Sequence, residues 1–209
     1  MKTFIFDMDG VIVNSELLWK KKEHNFLKEL IPDFSLDYQK DILWRSLEWI
    51  YQILDEKYNI NVSKEEFIDM YIDFWLKNIY SNCELEENVV SVLRKIQNSP
   101  RKLALASSSP RPWINKVLEK FSLKKYFDLV VSADDLSGRW KPDPAIYLYV
   151  RDQLKETSEN CIVIEDSYNG ALAWKRANMT VWWYRNWYNQ AQDLSISDRI
   201  IQKFVLEDF

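Results

Sequence analysis

The chain has 209 residues, of which 47% are hydrophobic and 29% are charged, and its net charge is −4. This composition is typical of a soluble globular protein, and the length allows one domain or a domain with an insertion. No basic block and no membrane-length apolar run is present, which argues against nucleic acid and membrane partners. The distant Cys83 and Cys161 predict reduced thiols in a cytoplasmic protein, with a single disulfide as the less favoured alternative. We expect no signal peptide before the first strand.

The first predicted strand ends in two carboxylates. Residues 4–6 form a short apolar run of β-forming residues, and Asp7 and Asp9 follow at alternate positions. On an extended chain these two side chains face the same side. Two like charges held so close favour a neutralising cation, a shared proton, or both. Taken alone, the stretch is equally consistent with an ordinary acidic turn before Gly10.

Helical patterns fill the next part of the chain. Asn14 or Ser15 can cap a helix over residues 16–30, and apolar residues at helical spacing predict another over 37–58. Ser63 and Glu66 form a capping-box pattern that opens a helix to about residue 79. We therefore predict that residues 14–80 form an all-helical cap inserted after the first strand.

Helices and strands alternate in the remainder of the chain. The patterns predict strands at 102–106, 127–131, 161–164 and 181–184, with helices at 85–98, 112–121, 143–154 and 168–178. Such alternation predicts a parallel, doubly wound sheet. The predicted fold class is α/β, with a Rossmann-like core formed by residues 1–13 and 81–209 and the helical cap inserted into it.

Polar residues follow three of the predicted strands, and a lysine lies in a later loop. Parallel strands place these ends at one edge of the sheet, where open α/β folds bind ligands. Singly, each cluster is also consistent with a turn, an exposed lysine or a helix cap. Their joint order favours a single site. The residues are Asp7, Asp9, Ser107, Ser108, Lys141, Glu165 and Asp166.

These residues resemble the motifs of the haloacid dehalogenase superfamily, in the branch with an N-terminal helical cap that includes β-phosphoglucomutase-like phosphatases. The matches are DMDGV from Asp7, Ser107, Lys141 within KPDP, and EDSYNGALAW from Glu165. The resemblance covers the core from end to end, whereas the cap matches only loosely. It implies a phosphoric monoester hydrolase.

The resemblance also implies the catalytic roles. Asp7 is then the nucleophile that forms an aspartyl-phosphate, and Asp9 is the general acid and base. Lys141 neutralises charge between the nucleophile and the phosphate, and Ser107 with the backbone N–H of Ser108 holds phosphoryl oxygens.

The implied cofactor is Mg²⁺. The resemblance assigns it to Asp7, the backbone carbonyl of Asp9, and Asp166, with Glu165 orienting these ligands. An acid at the position of Asp9 also argues against dehalogenation, because dehalogenases of this family lack one there.

Departures from the branch favour hydrolysis over mutase chemistry. Trp19 stands where sugar phosphomutases carry a hinge histidine, Leu47 lies near an expected arginine, and Trp44 replaces a common glycine. We expect a Mg²⁺-dependent phosphatase of a small phosphorylated metabolite such as a sugar phosphate, acting as a monomer or weak dimer. The alternatives are a sugar phosphomutase and, less favoured, a catalytically silent metabolite-binding protein. Candidates to face the substrate from the cap are Glu16, Trp19, Arg45 and Trp75.

Overall fold

The computed structural model describes residues 2–35, 47–137, 139–186, 189–193 and 195–209. Trp44, Arg45 and the first part of the helix predicted over 37–58 lie outside these ranges. The chain divides into two compact units. One comprises Met1–Asn14 and Leu85–Phe209, and the other comprises Ser15–Glu84.

In the second unit, Ser15–Glu84, the described secondary-structure elements are helices joined by turns and loops. Its helices are α1 (Ser15–Leu30), α2 (Leu47–Tyr58) and α3 (Lys64–Phe74), and α3 continues into a π-helical segment at Trp75–Tyr80. The expected capping box opens α3, because Ser63 accepts a hydrogen bond from the Glu66 backbone and Glu66 accepts one from the Ser63 backbone. The predicted helix boundary at residue 63 is therefore correct.

An aromatic cluster forms the interior of this helical unit. The Trp19 ring stacks on Tyr71 and meets Trp75 edge-on. The Tyr71 hydroxyl donates a hydrogen bond to the buried Glu23 carboxylate. Burial and the Glu23 charge together raise the pKa of Tyr71 well above its ordinary value, so this phenol stays protonated and keeps donating.

In the first unit, the described residues form six parallel strands. They are β1 (Thr3–Phe6), β2 (Leu103–Ser107), β3 (Leu129–Ser132), β4 (Cys161–Glu165), β5 (Thr180–Tyr184) and β6 (Arg199–Ile201). Their order across the sheet is β3-β2-β1-β4-β5-β6. The chain reverses direction across the sheet between β1 and β4, and such a switch point is where open α/β sheets bind ligands. The predicted α/β doubly wound fold is confirmed.

Helices flank the sheet, and its central strands are buried. The helices are α4 (Val89–Gln97), α5 (Arg111–Lys120), α6 (Ala145–Gln153) and α7 (Tyr168–Arg176). Every residue of β1, β2 and β4 is buried, as expected for parallel strands covered on both faces. Helix α4 begins later than predicted, because Leu85 instead pairs with Val13 in an antiparallel bridge.

Strand β6 was not predicted. It has only three residues, and of these only Ile201 is buried. Beyond it, Phe204 and Phe209 pack against Phe6 of β1. Among the helices the structure describes, none has both the length and the apolar character needed to cross a membrane.

Candidate active site

The register of the three central strands lines up their carboxyl ends. Phe6 of β1 pairs with Leu105 of β2 on one side and with Ile164 of β4 on the other. The next residues along the three strands, Asp7, Ala106 and Glu165, therefore lie side by side. The Asp7 backbone N–H continues the ladder by donating to the Ile164 carbonyl oxygen at 2.9 Å. The parallel sheet alone thus brings two carboxylates of distant sequence position together.

Lys141 joins these strand ends. Its Nζ donates to Asp7 Oδ1 at 2.5 Å, to Glu165 Oε2 at 2.8 Å and to the carbonyl oxygen of Ala106 at 3.2 Å. The Lys141 side chain is only 6% exposed. Burial alone would lower the pKa of this ammonium group, but the Asp7 and Glu165 carboxylates outweigh burial and hold the pKa well above its ordinary value. Lys141 is therefore a fixed positive charge.

Three buried carboxylates surround that charge. Asp7, Glu165 and Asp166 each offer an oxygen, and these oxygens lie within 4.8 Å of one another. Burial raises the pKa of Asp7 well above its ordinary value, and the charges of Glu165 and Asp166 raise it further against the opposing effect of Lys141. Burial opposes ionisation of Glu165 too, but Lys141 and hydrogen bonds bring its pKa below the ordinary value.

This donor set fits a hard divalent cation. Three carboxylates against one ammonium group leave an excess of negative charge in a buried place, which is costly without a further cation. Oxygen donors alone are the ligands that Mg²⁺ prefers. A cation bound there would also favour the ionised form of Asp7.

Glu165 is held by groups that sequence reasoning did not identify. Its Oε2 accepts a hydrogen bond from the Tyr147 hydroxyl at 2.7 Å, and its Oε1 accepts one from the Ser167 hydroxyl at 2.6 Å. Gly170 lies so close that a Cβ atom there would be 2.0 Å from Glu165 Cδ. Helix α7 therefore needs glycine at this position to leave room for the carboxyl group.

Two asparagines beyond β5 hold Asp166. Asn189 Nδ2 donates to the Asp166 carbonyl oxygen at 2.9 Å, and Asn186 Nδ2 lies 3.5 Å from Asp166 Oδ2. Asn186 Nδ2 also donates to the Gly10 carbonyl oxygen at 3.0 Å. Gly10 has a φ of 82°, which glycine adopts without strain. Asn186 therefore links the loop after β1 to the carboxylate after β4.

Asp9 has different partners from Asp7. The Ser109 hydroxyl donates to Asp9 Oδ2 at 2.6 Å, and the Trp113 indole N–H donates to Asp9 Oδ1 at 2.9 Å. All three side chains are buried. Ser109 lies in the segment that joins β2 to α5, and Trp113 lies in the first turn of α5. Among the described residues, a neutral group thus donates to each of the two Asp9 carboxylate oxygens.

Ser107 ends β2, and Ser108 and Ser109 follow it in a loop that has an available hydroxyl group. The Ser107 hydroxyl accepts a hydrogen bond from the Ser109 backbone N–H at 3.0 Å, and the Ser132 hydroxyl donates to the Ser109 carbonyl oxygen at 2.7 Å. Ser108 Oγ is buried without a hydrogen-bond partner among the described residues. A buried hydroxyl group without a partner is unusual in a protein, and a bound oxyanion would satisfy it.

The residues predicted from the sequence therefore meet at one edge of one sheet. The strand register places Asp7 beside Glu165. Lys141 lies in the loop before α6 and donates hydrogen bonds to both carboxylates. Sequence reasoning missed a second set of residues that hold these side chains. Ser167 and Gly170 lie inside the EDSYNGALAW motif and could have been suspected, whereas nothing in the sequence marks the two asparagines. The missed residues are Ser109, Trp113, Tyr147, Ser167, Gly170, Asn186 and Asn189.

The strand order and the buried carboxylate–lysine cluster define a hydrolase of the haloacid dehalogenase type. The family described as haloacid dehalogenase-like hydrolase matches residues 4–184, so the chain belongs to this family. It is 33% identical over 181 residues to a phosphorylated carbohydrates phosphatase of Thermotoga maritima, covering 86% of this chain and 82% of that protein. It is 30% identical over 177 residues to hexitol phosphatase B of Escherichia coli K12, covering 84% and 79%.

A solved structure shares the fold at lower identity. CbbY of Rhodobacter sphaeroides, in complex with xylulose 1,5-bisphosphate, superposes with a TM-score of 0.80 at 16% identity, covering 97% of this chain and 94% of that chain. The family and the curated relatives confirm the predicted superfamily, and with it the prediction of a phosphoric monoester hydrolase.

Proposed function

We propose that this protein is a Mg²⁺-dependent phosphatase of small phosphorylated carbohydrates that works through an aspartyl-phosphate at Asp7. The observation that carries the proposal is the buried Asp7 carboxylate, paired with Lys141 at 2.5 Å and lying two residues from Asp9. The substrate class is supported by the curated relatives, which are named for phosphorylated carbohydrates and hexitols.

In the first step, an Asp7 carboxylate oxygen attacks phosphorus. A bond forms between that oxygen and phosphorus while the bond from phosphorus to the ester oxygen breaks. The leaving alcohol oxygen takes a proton from the Asp9 carboxyl group. The alcohol departs, and the phosphoryl group remains on Asp7.

In the second step, water replaces Asp7 on phosphorus. The Asp9 carboxylate accepts a proton from the water as its oxygen attacks, and the bond from phosphorus to the Asp7 oxygen breaks. Phosphate leaves, Asp7 is again a carboxylate, and Asp9 again carries the proton needed for the next cycle. The sum is hydrolysis of one phosphomonoester by one water.

Asp7, Asp166 and the Asp9 backbone carbonyl would hold the Mg²⁺, with Glu165 orienting them. When bound, the cation would supply charge stabilisation for the phosphoryl oxygens and favour the ionised form of Asp7. Lys141 would add a second positive charge on the nucleophile side.

Ser107 and the backbone N–H of Ser108 would bind the phosphoryl oxygens. The Ser107 hydroxyl already accepts from the Ser109 backbone, so its own hydrogen can be donated elsewhere. The Ser108 hydroxyl, which has no hydrogen-bond partner among the described residues, is available to the same oxygens.

Residues 14–80 would act as a cap that sets substrate choice, and residues 1–13 and 81–209 would form the core. Of the expected substrate-facing residues, Trp19 and Trp75 lie in the aromatic interior of the helical unit, which leaves Glu16 as the candidate within the described part of this cap. We further propose a cytoplasmic monomer or weak dimer without nucleic acid or membrane partners. The support for these proposals is the family resemblance and the acidic composition.

A panel of phosphomonoesters tests the proposed function. The purified protein is incubated with hexitol phosphates, hexose phosphates and non-carbohydrate phosphates, with Mg²⁺ or with EDTA, and free phosphate is measured. We expect Mg²⁺-dependent phosphate release that is fastest on the carbohydrate esters. Asp7→Asn, purified identically, is the control for contaminating phosphatases. Interconversion of hexose 1- and 6-phosphates without net phosphate release would instead establish the mutase alternative.

A further inference from the structure

Ser109 and Trp113 both donate to the Asp9 carboxyl group, and the two donors differ in chemical capacity. The Trp113 indole N–H, 2.9 Å from Oδ1, can donate a hydrogen bond but cannot accept one. The Ser109 hydroxyl, 2.6 Å from Oδ2, can do either by rotating its hydrogen. The two oxygens of Asp9 are therefore not equivalent.

Burial and hydrogen bonds hold Ser109 and Trp113, the residues that carry these donors, in place. Trp113 lies in the first turn of α5 and is 3% exposed, and Asp9 and Ser109 are each 3% exposed as well. The Ser109 backbone is fixed at both ends, since its N–H donates to Ser107 and its carbonyl oxygen accepts from Ser132. Asp9 therefore receives hydrogen bonds from a loop residue whose backbone is hydrogen-bonded and from the first turn of a helix.

We propose that Trp113 and Ser109 are positioning residues that hold the Asp9 carboxyl group in the orientation it needs for proton transfer. This inference rests on the proposed function, in which Asp9 is the general acid of the first step. Trp113 holds Oδ1, and Ser109 holds Oδ2.

Losing a hydrogen bond to Asp9 should slow the proton transfer from Asp9 to the leaving oxygen. It should not slow the attack of Asp7 on phosphorus. Proton transfer in the transition state depends on the distance and angle between the acid and the leaving oxygen. An alkyl phosphate needs that proton, because an alkoxide is a poor leaving group. A nitrophenyl phosphate does not need it, because nitrophenolate leaves without protonation. Loss of the Trp113 hydrogen bond should therefore slow the alkyl ester selectively.

The experiment measures the first turnover with enzyme in excess, on an alkyl phosphate substrate and on p-nitrophenyl phosphate. Trp113→Phe removes the indole N–H and keeps an aromatic ring. We expect alcohol release from the alkyl ester to fall by about tenfold, because hydrogen bonds to charged groups are among the stronger ones. Nitrophenolate release should stay within about twofold of wild type. Measuring the first turnover keeps the second step, in which Asp9 acts as base, out of both rates.

Trp174→Phe is the matched control. Trp174 is also buried, and its indole N–H has no hydrogen-bond acceptor among the described residues. This variant loses a comparable volume of side chain from a core position without touching Asp9. The ratio of the two first-turnover rates should stay at the wild-type value.

Ser109→Ala is the second test variant, and it decides the matter if Trp113→Phe does not fold. A selective loss on the alkyl ester in either variant supports the proposal. An equal loss on both esters, or no loss on either, overturns it while leaving the proposed function intact. If the wild-type protein releases neither alcohol from the alkyl ester nor nitrophenolate from p-nitrophenyl phosphate, the proposed function is overturned. This inference is then overturned with it.

Discussion

Asp7 and Asp9 are two residues apart at the end of one strand, yet their hydrogen-bond partners among the described residues differ. Asp7 lies against the Lys141 ammonium group and shares a buried cluster with the carboxylates of Glu165 and Asp166. Asp9 instead receives hydrogen bonds from a hydroxyl group and an indole. The strand places both carboxyl groups at one edge of the sheet, and the neighbouring loops then give each a different environment.

The difference separates the two chemical tasks. Lys141 favours the ionised form of Asp7 against burial and the neighbouring carboxylates, and a bound cation would add to its effect, as a nucleophile requires. Neutral donors beside Asp9 tolerate both protonation states, as an acid that later becomes a base requires. Pairs of carboxyl groups with unlike surroundings are a recurring way to divide such roles. Four substitutions test this division, from the largest expected effect to the smallest.

Asp7→Asn should abolish turnover, with a loss of more than about 10⁴-fold, because the amide cannot accept a phosphoryl group. Steady-state phosphate release with Mg²⁺ measures this loss, and circular dichroism checks that the fold is retained. Activity within about tenfold of wild type would remove Asp7 from the nucleophile role.

Asp9→Asn should lower turnover of alkyl phosphates by about 10²–10⁴-fold, because it removes the acid and base. With p-nitrophenyl phosphate the first step needs no acid, so a burst of nitrophenolate should precede a slow phase that reflects dephosphorylation. Stopped-flow absorbance detects this burst, and Asp7→Asn should show none. If neither variant shows a burst, the assignment of different roles to the Asp7 and Asp9 carboxylates is wrong.

Asp166→Asn should raise the Mg²⁺ concentration for half-maximal activity by at least about tenfold, because one anionic oxygen donor is lost. A Mg²⁺ titration of activity after EDTA treatment measures the shift. Glu119→Gln, an exposed carboxylate on α5, is the control and should leave the titration unchanged. An unshifted titration for Asp166→Asn would exclude this residue from the metal site.

Gly170→Ala should destabilise the fold by about 1–3 kcal/mol, as expected when an atom is added to a filled space. The added Cβ would lie 2.0 Å from Glu165 Cδ, so the carboxyl group or the start of α7 must move. Chemical denaturation measures the loss. Asn169→Ala, at the neighbouring exposed helix position, separates this clash from alanine's helix propensity, and equal stability of the two variants would contradict the packing argument.

The sequence predicted the sheet and the reacting side chains better than it predicted the groups that hold them. Strands β1, β2 and β4 are apolar runs because both faces are covered, so their patterns were unambiguous. Strand β6 has three residues, two of them exposed, and carries too little pattern to predict.

The groups around the carboxylates depend on contacts between distant parts of the chain. Asn186 donates a hydrogen bond to Gly10, which lies 176 residues away in the chain, and no local sequence pattern predicts such a contact. Trp113 is one of ten tryptophans, and nothing in its local sequence distinguishes it from a packing aromatic. Only the structure shows that its indole N–H faces a carboxylate. Gly170 lies within a motif that the sequence shows, but only the structure shows that it makes room for Glu165.

Trapping the covalent intermediate tests the central claim most directly. The protein is mixed with Mg²⁺ and a carbohydrate phosphate that it turns over, quenched in acid during turnover, reduced with borohydride and digested. Borohydride converts a phosphorylated aspartate to homoserine, and mass spectrometry locates the conversion. We expect homoserine at position 7 alone, and only when both substrate and Mg²⁺ are present. Conversion at position 9, or rapid turnover without any conversion at position 7, would contradict the account.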